Sequence, residues 1–337
     1  MNDVQRGHLY RRRIERISIG MALVVVLCLI GLNMVFGNTT YSLIHILDVL
    51  MGKTSDGAFT ILTLRLPRVL IGVLCGMAFG VAGNTFQRIL SNSLASPDII
   101  GVTAGSSVAA VFTILILHWS GWRVFLAALI SGVLVASIIY FLSQGKGFSN
   151  ARLILIGIGM QAFLRAIISW LLLVSSQYDV ANALRWLNGS LNGVKLEDVP
   201  LLTIVVCIGV GLICILDKHL NVLQLGDSFA QSLGSNPHVI RLVLIILALL
   251  LSAFATSVSG PIASVAFLSG PIAKRFNQSG DNHILLSGLV GVVLVLASDW
   301  VGQYMLPSRY PVGVVTGILG APYLLVLLVQ LNKKGSV

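Results

Sequence analysis

Charged side chains are scarce in this chain of 337 residues. Asp, Glu, Lys and Arg together make up 10% of it, and only 12 residues are acidic, whereas 56% are apolar. The mean hydropathy is +0.94. A water-soluble domain cannot cover so much apolar surface with so few charges. Lipid is therefore expected to be the solvent for most of the chain.

Period-two alternation of apolar and polar residues is also missing, which argues against a membrane barrel. Backbone polar groups in lipid must be paired within each segment, and this requirement leaves helices. The sequence therefore predicts an all-α, polytopic membrane protein with a single transmembrane domain, residues 1–337, and about ten transmembrane helices. The expected spans are 17–36, 67–87, 98–117, 123–142, 152–174, 199–216, 239–258, 261–274, 284–304 and 312–331.

Motifs of catalysis are missing as well. The chain contains no HExxH and no GxSxG, and Asp299 is the only clear acid within a span, so an intramembrane aspartyl protease would lack its second acid. Lys53-Thr54 resembles the end of a phosphate-binding loop, but Leu47 stands where that loop requires its first glycine. We expect no enzyme, no cofactor and no metal site here, so any ATP must be hydrolysed by a partner.

The basic residues indicate an orientation. With both termini inside, the predicted inner segments hold about twice as many Lys and Arg residues as the outer segments. The positive-inside rule then predicts cytoplasmic N- and C-termini. The net charge of +10 is accordingly expected to contact anionic lipid, not nucleic acid.

Two predicted spans carry features of special interest. The eighth, 261–274, is short, follows Gly260 and contains Gly270-Pro271, so it is expected to be broken and to lie inside protein or beside a water-filled path. Arg165 lies in the middle of the fifth span, with Gln161 one turn away. Because a charge at that depth costs at least ~2.5 kcal/mol, Arg165 must face the interior, either lining a path or paired structurally.

Small residues recur at helix-packing spacing, notably Gly72, Gly76 and Gly80. Such a stripe lets helix backbones approach closely, either in a fixed contact or in a seam that slides during transport. Ser96 and Pro97 suit the N-cap and first position of the third helix. Residues 217–238 form the longest inner loop, which is either a solvated connector or a short helix that fits a partner's cleft.

Several motifs together resemble the permeases of bacterial ABC importers for iron-siderophores and cobalamin. The resemblance begins with LRLPR at 64–68 and continues across nearly the whole chain. It is carried by G..FG.AGN..Q, N.LASPDIIGV.AGSS, Trp186–Leu191, Leu225–Gly234, Gly260–Ile262, Gly280–His283, Ala297–Asp299, Pro311–Val314 and Gly320–Pro322.

This resemblance implies a type II ABC importer permease in a bacterial cytoplasmic membrane. Two such permeases would assemble with two cytoplasmic ATPase subunits and an extracytoplasmic binding protein. The implied cargo is a ferric siderophore, because Ser-Pro-Asp-Ile-Ile-Gly at 96–101 is similar to the siderophore branch. Cobalamin or haem import is the alternative within the family. A stand-alone secondary transporter is the alternative from another class.

The resemblance also implies site residues. The cytoplasmic coupling loop would contact the ATPase through Leu225, Gly226, Ala230 and Gly234, with Asp227 capping its helix. On the outer side, Arg65 and Arg68 would dock the binding protein, although composition alone would make them interfacial residues that snorkel.

The chain also departs from the family pattern in three places. Ser93 stands where Pro is frequent, Gly270 precedes Pro271 where Pro-His is frequent, and Arg309 stands where Glu is common. These departures suggest a diverged partner in a heterodimer.

Overall fold

The computed structural model describes residues 3–143, 150–276 and 283–333, and within these ranges the chain is helical, without a strand. A π-helical segment, Phe59–Arg65, leads directly into α3, and short 3-10 turns precede α4 and α8. The α-helices are α1 (Asp3–Val35), α2 (Leu43–Leu50), α3 (Leu66–Ile89), α4 (Val102–Leu115), α5 (Trp122–Ser143), α6 (Asn150–Val174), α7 (Gln177–Leu187), α8 (Val199–Leu223), α9 (Asp227–Ser232), α10 (Pro237–Ser259), α11 (Val265–Phe276), α12 (Ile284–Tyr304) and α13 (Val312–Lys333).

Seven helical segments of the described chain are long and apolar enough to cross a membrane. They include most of α1, α3 with its π-helical start, α5, α6, α8, α10 and α12. The other predicted spans are occupied by α4 and α11, which are shorter at 14 and 12 residues, and by α13, whose apolar part Val312–Leu327 is below spanning length. The all-α, multi-span prediction is therefore confirmed, while the count of ten depends on these three helices.

Helix α3 forms the core, because 78% of its most apolar window is buried. Its glycines face other backbones at close range. A Cβ on Gly76 would lie 2.6 Å from Cα of Val292, and one on Gly80 would lie 2.3 Å from the carbonyl oxygen of Ser287, both in α12. A Cβ on Gly83 would lie 1.7 Å from the carbonyl oxygen of Ala266 in α11. This close fit is fixed packing of the kind that small residues permit between membrane helices.

An ion pair secures each end of α3. Arg68 donates from Nε and Nη2 to the two carboxylate oxygens of Asp299, both at 2.6 Å. Arg88 binds the buried carboxylate of Asp217 on α8. The two arginines are twenty positions apart, a rise of about 30 Å, which equals the hydrocarbon thickness of a bilayer. We call the face near Arg88 and α9 the inner face, and the face near Arg68 the outer face.

Helix α8 runs further than predicted. The inner loop was expected over 217–238, but α8 remains helical to Leu223, and the connection is completed by α9 and by α10 from Pro237. Asp217 is buried in its ion pair with Arg88, and Leu220 and Leu223 pack into the core. Residues 217–223 are therefore part of the packed helix and not of the loop.

The polar outer segments hold helices that the pattern did not predict, α2 and α7. The family motif at Gly280–His283 falls mainly outside the described residues, and only His283 lies within them.

The predicted break in the eighth span lies at its start, not at its proline. The chain leaves α10 at Gly260, which has φ +69°, and resumes as α11 at Val265. Helix α11 then passes through Pro271. A proline cannot donate to the carbonyl four residues earlier, here that of Phe267. The side-chain amide of Gln87 on α3 donates to this carbonyl instead, at 2.9 Å, so the helix continues.

Candidate translocation path and coupling surface

A cavity of about 450 Å³ lies against α4 and α6, next to the break between α10 and α11. It is lined by the two residues predicted for the translocation path, Gln161 and Arg165, and by further polar and apolar side chains. The other lining residues are Phe79, Asp98, Thr103, Ala104, Ser107, Ile168, Ser169, Leu187, Pro261, Ile262 and Ala263. A polar cavity beside a broken helix is the usual position of a substrate site in membrane transporters.

The inner loop before α4 places Asp98 in this cavity. The Ser96 hydroxyl acts as the predicted N-cap by accepting from the Asp98 amide, but the segment that it caps, Pro97–Ile100, is a 3-10 turn, and α4 begins only at Val102. Gly101, at φ +74°, then ends this turn before α4 begins. The Asp98 carboxylate accepts hydrogen bonds from the hydroxyls of Ser96 and Thr103.

Gln161 fixes α6 against this turn, because its side-chain amide donates to the Asp98 carbonyl. Arg165, one turn further along α6, is different. Within the described chain its guanidinium makes no hydrogen bond and no ion pair within 4.0 Å, although it shares the cavity with Asp98. The Asp98 carboxylate lies within range of a charge–charge interaction with Arg165 but beyond ion-pair distance, so the structural pairing considered from the sequence is indirect. A guanidinium without a direct partner at this depth needs water, a ligand or another subunit.

The rest of α6 is unusually exposed for a central membrane helix. Only 17% of its most apolar window is buried, and large apolar side chains such as Phe163, Trp170 and Leu173 are more than half exposed. Lipid or another subunit must cover them. Since the cavity opens on the same helix, a second permease placed here would close one side of the cavity.

On the inner face, α9 forms a separate surface. Leu225, Phe229 and Leu233 are 65%, 57% and 59% exposed. Phe229 lies within α9, Leu233 is its C-cap residue, and Leu225 directly precedes the N-cap residue Gly226, so the three exposed apolar side chains lie on this short helix and at its two ends. We call these three residues the α9 stripe. Ala230, by contrast, is fully buried in this chain's own core.

Two details of the coupling loop differ from the sequence-based predictions. Asp227 does not cap α9; the N-cap residue is Gly226, with no side-chain bond, and Asp227 pairs with Arg241 at 2.9 Å. Because Ala230 points inward, the α9 stripe is the available contact surface. Phe229 and Leu233 were not predicted, although large apolar residues within a polar inner loop could have revealed them.

Arg65 and Arg68 lie near the outer face but are committed to internal partners. Arg65 is 6% exposed and donates to the carbonyls of Met34, Val35 and Thr39. Gly37 leaves room for it, since a Cβ there would lie 2.0 Å from its Nη2. Besides its pair with Asp299, Arg68 binds Asn192 at 2.5 Å. These contacts support structural roles, and docking through either arginine stays a prediction.

The fold and these surfaces define a class: a multi-pass transport permease whose described helices line an open cavity, mostly apolar but with a few charged and polar groups, at membrane depth. A model of the FecCD transport family matches residues 23–330. The chain therefore belongs to the FecCD transport family.

Relatives agree with this assignment over nearly their full lengths. The chain is 33% identical to the ferric enterobactin transport system permease protein FepG of Escherichia coli (strain K12), covering 88% of this chain and 91% of FepG. It is 32% identical to the Fe(3+)-citrate import system permease protein YfmD of Bacillus subtilis (strain 168), covering 91% and 92%. It is also 32% identical to FepD, a second ferric enterobactin permease of Escherichia coli (strain K12), covering 95% and 97%.

A solved structure shares the fold. It is described as an inward-facing conformation of a metal-chelate type ABC transporter, and it superimposes with a TM-score of 0.84 at 24% identity, covering 94% of this chain and 99% of that one. The two chains therefore share one helical fold, in agreement with the all-α, polytopic architecture predicted from the sequence.

Proposed function

We propose that this chain is a permease subunit of an ATP-driven importer for ferric siderophores. Support comes from the relatives, whose names refer to ferric enterobactin and Fe(3+)-citrate transport. The chain itself would break no bond in its cargo. Its helices would alternate between outward-open and inward-open arrangements around the cavity at α6.

The observation that carries the proposal is the guanidinium of Arg165, which makes no direct hydrogen bond or ion pair within the described chain. It lines the cavity, and the side chain is exposed along α6 in the isolated subunit. A cation there would attract a cargo whose iron complex is anionic and would repel a cationic one. The Asp98 carboxylate is held by two hydroxyls and interacts with Arg165 only at longer range, which leaves the guanidinium without a direct bond.

The proposed assembly contains two permeases, two ATPase subunits and an extracytoplasmic binding protein. The exposed face of α6 supports a second permease, and FepG and FepD share one system name, which supports a heterodimer. The α9 stripe would insert into the ATPase. We place the assembly in the bacterial cytoplasmic membrane with both termini in the cytoplasm, as the distribution of basic residues favours.

Uptake measurements test this proposal. In a strain lacking this permease, the intact chain should restore uptake of a labelled ferric siderophore but not of cobalamin or haem. Arg165→Leu should be produced and assembled normally, yet transport several-fold less, most clearly for the most anionic complex; Arg165→Lys should keep part of the activity. Arg185→Leu, which removes an exposed arginine of α7 outside the cavity, is the matched control. Unchanged siderophore uptake in Arg165→Leu, or restored cobalamin uptake instead, would contradict the proposal.

A further inference from the structure

A second cavity, of about 260 Å³, lies on the outer face and is not part of the path. Three aromatic rings line it: Trp122 and Phe125 at the start of α5, and Phe254 near the end of α10. The rings of Phe125 and Phe254 meet edge to face, with centroids 6.3 Å apart. Trp122 is 67% exposed, so the cavity opens toward the surroundings of the helices.

Two carboxylates stand at the same cavity, those of Glu197 and Asp198 in the turn before α8. Asp198 accepts a hydrogen bond from the Lys195 amide at 3.0 Å, which fixes the turn. Glu197 is exposed and has no hydrogen-bond or ion-pair partner within the described chain. Carboxylates beside aromatic faces favour a cation, because both the charge and the ring quadrupole attract it.

The depth of this cavity matches the headgroup region of a bilayer. Glu197 lies just before the start of α8, and α9 follows the other end of that helix, about 37 Å away for 25 residues. Phe254 lies five residues before the end of α10, so the cavity reaches roughly 8 Å inward. Aromatic residues concentrate at this level of membrane proteins. Below it, Leu126 and Leu201 line the cavity and are partly exposed, and they would meet acyl chains.

We propose that this cavity binds a phospholipid with a primary-amine headgroup, such as phosphatidylethanolamine, from the outer leaflet. The ammonium group would donate to Glu197 and Asp198 and rest against Trp122 and Phe125. The phosphate would remain at the aqueous headgroup level, where Lys195 is exposed in the turn that carries the acidic pair. The cavity is large enough for the headgroup, while the tails follow the exposed sides of α5 and α8. This site is independent of the cargo carried through the path.

Native mass spectrometry of the assembled transporter tests the proposal. The complex is delipidated in detergent and then titrated with phosphatidylethanolamine or phosphatidylglycerol carrying identical acyl chains. We expect preferential retention of phosphatidylethanolamine. Glu197→Gln should reduce the retention of phosphatidylethanolamine by about fivefold, because losing one exposed charge pair costs ~1 kcal/mol of binding free energy. The same variant should leave phosphatidylglycerol binding unchanged. Trp122→Leu, which removes a mostly exposed ring, should also reduce the retention of phosphatidylethanolamine.

The matched control is Asp56→Asn, which neutralises an outer acid whose side chain is 85% exposed and which lies outside the cavity. It should retain both lipids as the unmodified complex does. Equal retention of the two lipids by the unmodified complex, or no loss of phosphatidylethanolamine in Glu197→Gln, would overturn the proposal. If Glu197→Gln instead weakened attachment of the binding protein without changing lipid retention, the occupant would be a protein segment and the lipid site would be wrong.

Discussion

The guanidinium of Arg68 and the carboxylate of Asp299 form a two-bonded ion pair near the outer face, with both N–O distances at 2.6 Å. The pair joins α3 to α12, and the Asp299 side chain is only 3% exposed. Removing one partner of such a pair leaves the other charge buried and unpaired, which costs more than the pair itself contributes.

We therefore expect Asp299→Ala to destabilise the folded protein by about 3 kcal/mol. The measurement is the midpoint of heat-induced aggregation of the detergent-solubilised protein, with Asp56→Ala as the exposed control. The double variant Arg68→Leu with Asp299→Leu should be more stable than Asp299→Ala, since no isolated charge remains. An unchanged midpoint in Asp299→Ala would mean that the pair is dispensable.

The close approach of α3 to α11 gives a second prediction. Gly83→Ala would place a methyl group 1.7 Å from the carbonyl oxygen of Ala266, a backbone atom that cannot move away cheaply. We expect most of the folded protein to be lost, as judged by fluorescence-detected gel filtration. Gly31→Ala on α1, where nothing lies within 4 Å, should be tolerated or slightly stabilising. Similar yields for both variants would show that α3 and α11 are further apart than described.

A third prediction concerns the proline inside α11. Gln87→Leu removes the donor to the Phe267 carbonyl and should destabilise the fold by about 1–3 kcal/mol, because that oxygen then stays buried and unsatisfied. Pro271→Ala restores the ordinary helical donor. In the double variant Gln87→Leu with Pro271→Ala, the loss of stability caused by Gln87→Leu should therefore be smaller. Equal losses from Gln87→Leu with and without Pro271 would disprove this compensation.

The fourth prediction separates coupling from folding in α9. Phe229→Ala trims an exposed side chain of the α9 stripe, so the permease should fold normally but recover less ATPase on co-purification and transport less. Ala230→Leu enlarges a fully buried position and should lower the amount of folded permease itself. The two readouts are permease abundance and ATPase recovered per permease. Full ATPase recovery in Phe229→Ala would place the coupling contact elsewhere.

Hydrophobic runs were sufficient to predict the helical class and most spans of this protein. They could not predict α2 or α7, because both are short amphipathic helices within polar segments. They also set the end of α8 too early. Asp217 looks like a loop residue in isolation, and only its pairing with Arg88, 129 positions away, makes its burial acceptable.

The residues of the candidate sites were also only partly predictable. Gln161 and Arg165 were found because polar residues in the middle of an apolar span require an explanation. The orientation of Ala230 and the internal bonds of Arg65 depend on contacts between distant segments, which spacing does not encode. Asp299 was noticed as a lone intramembrane acid, but both Arg65 and Arg68 were predicted near the outer side, and spacing alone does not tell which of them pairs with it.

The α9 stripe has a consequence for the life of the protein in the cell. Three large apolar side chains on or directly beside the six-residue helix α9 are exposed in the isolated subunit, and the proposed contact with an ATPase would cover them. Exposed apolar segments of this kind are what chaperones and proteases recognise. Subunits synthesised in excess of their ATPase should consequently be short-lived, so quality control would enforce the stoichiometry of the assembly.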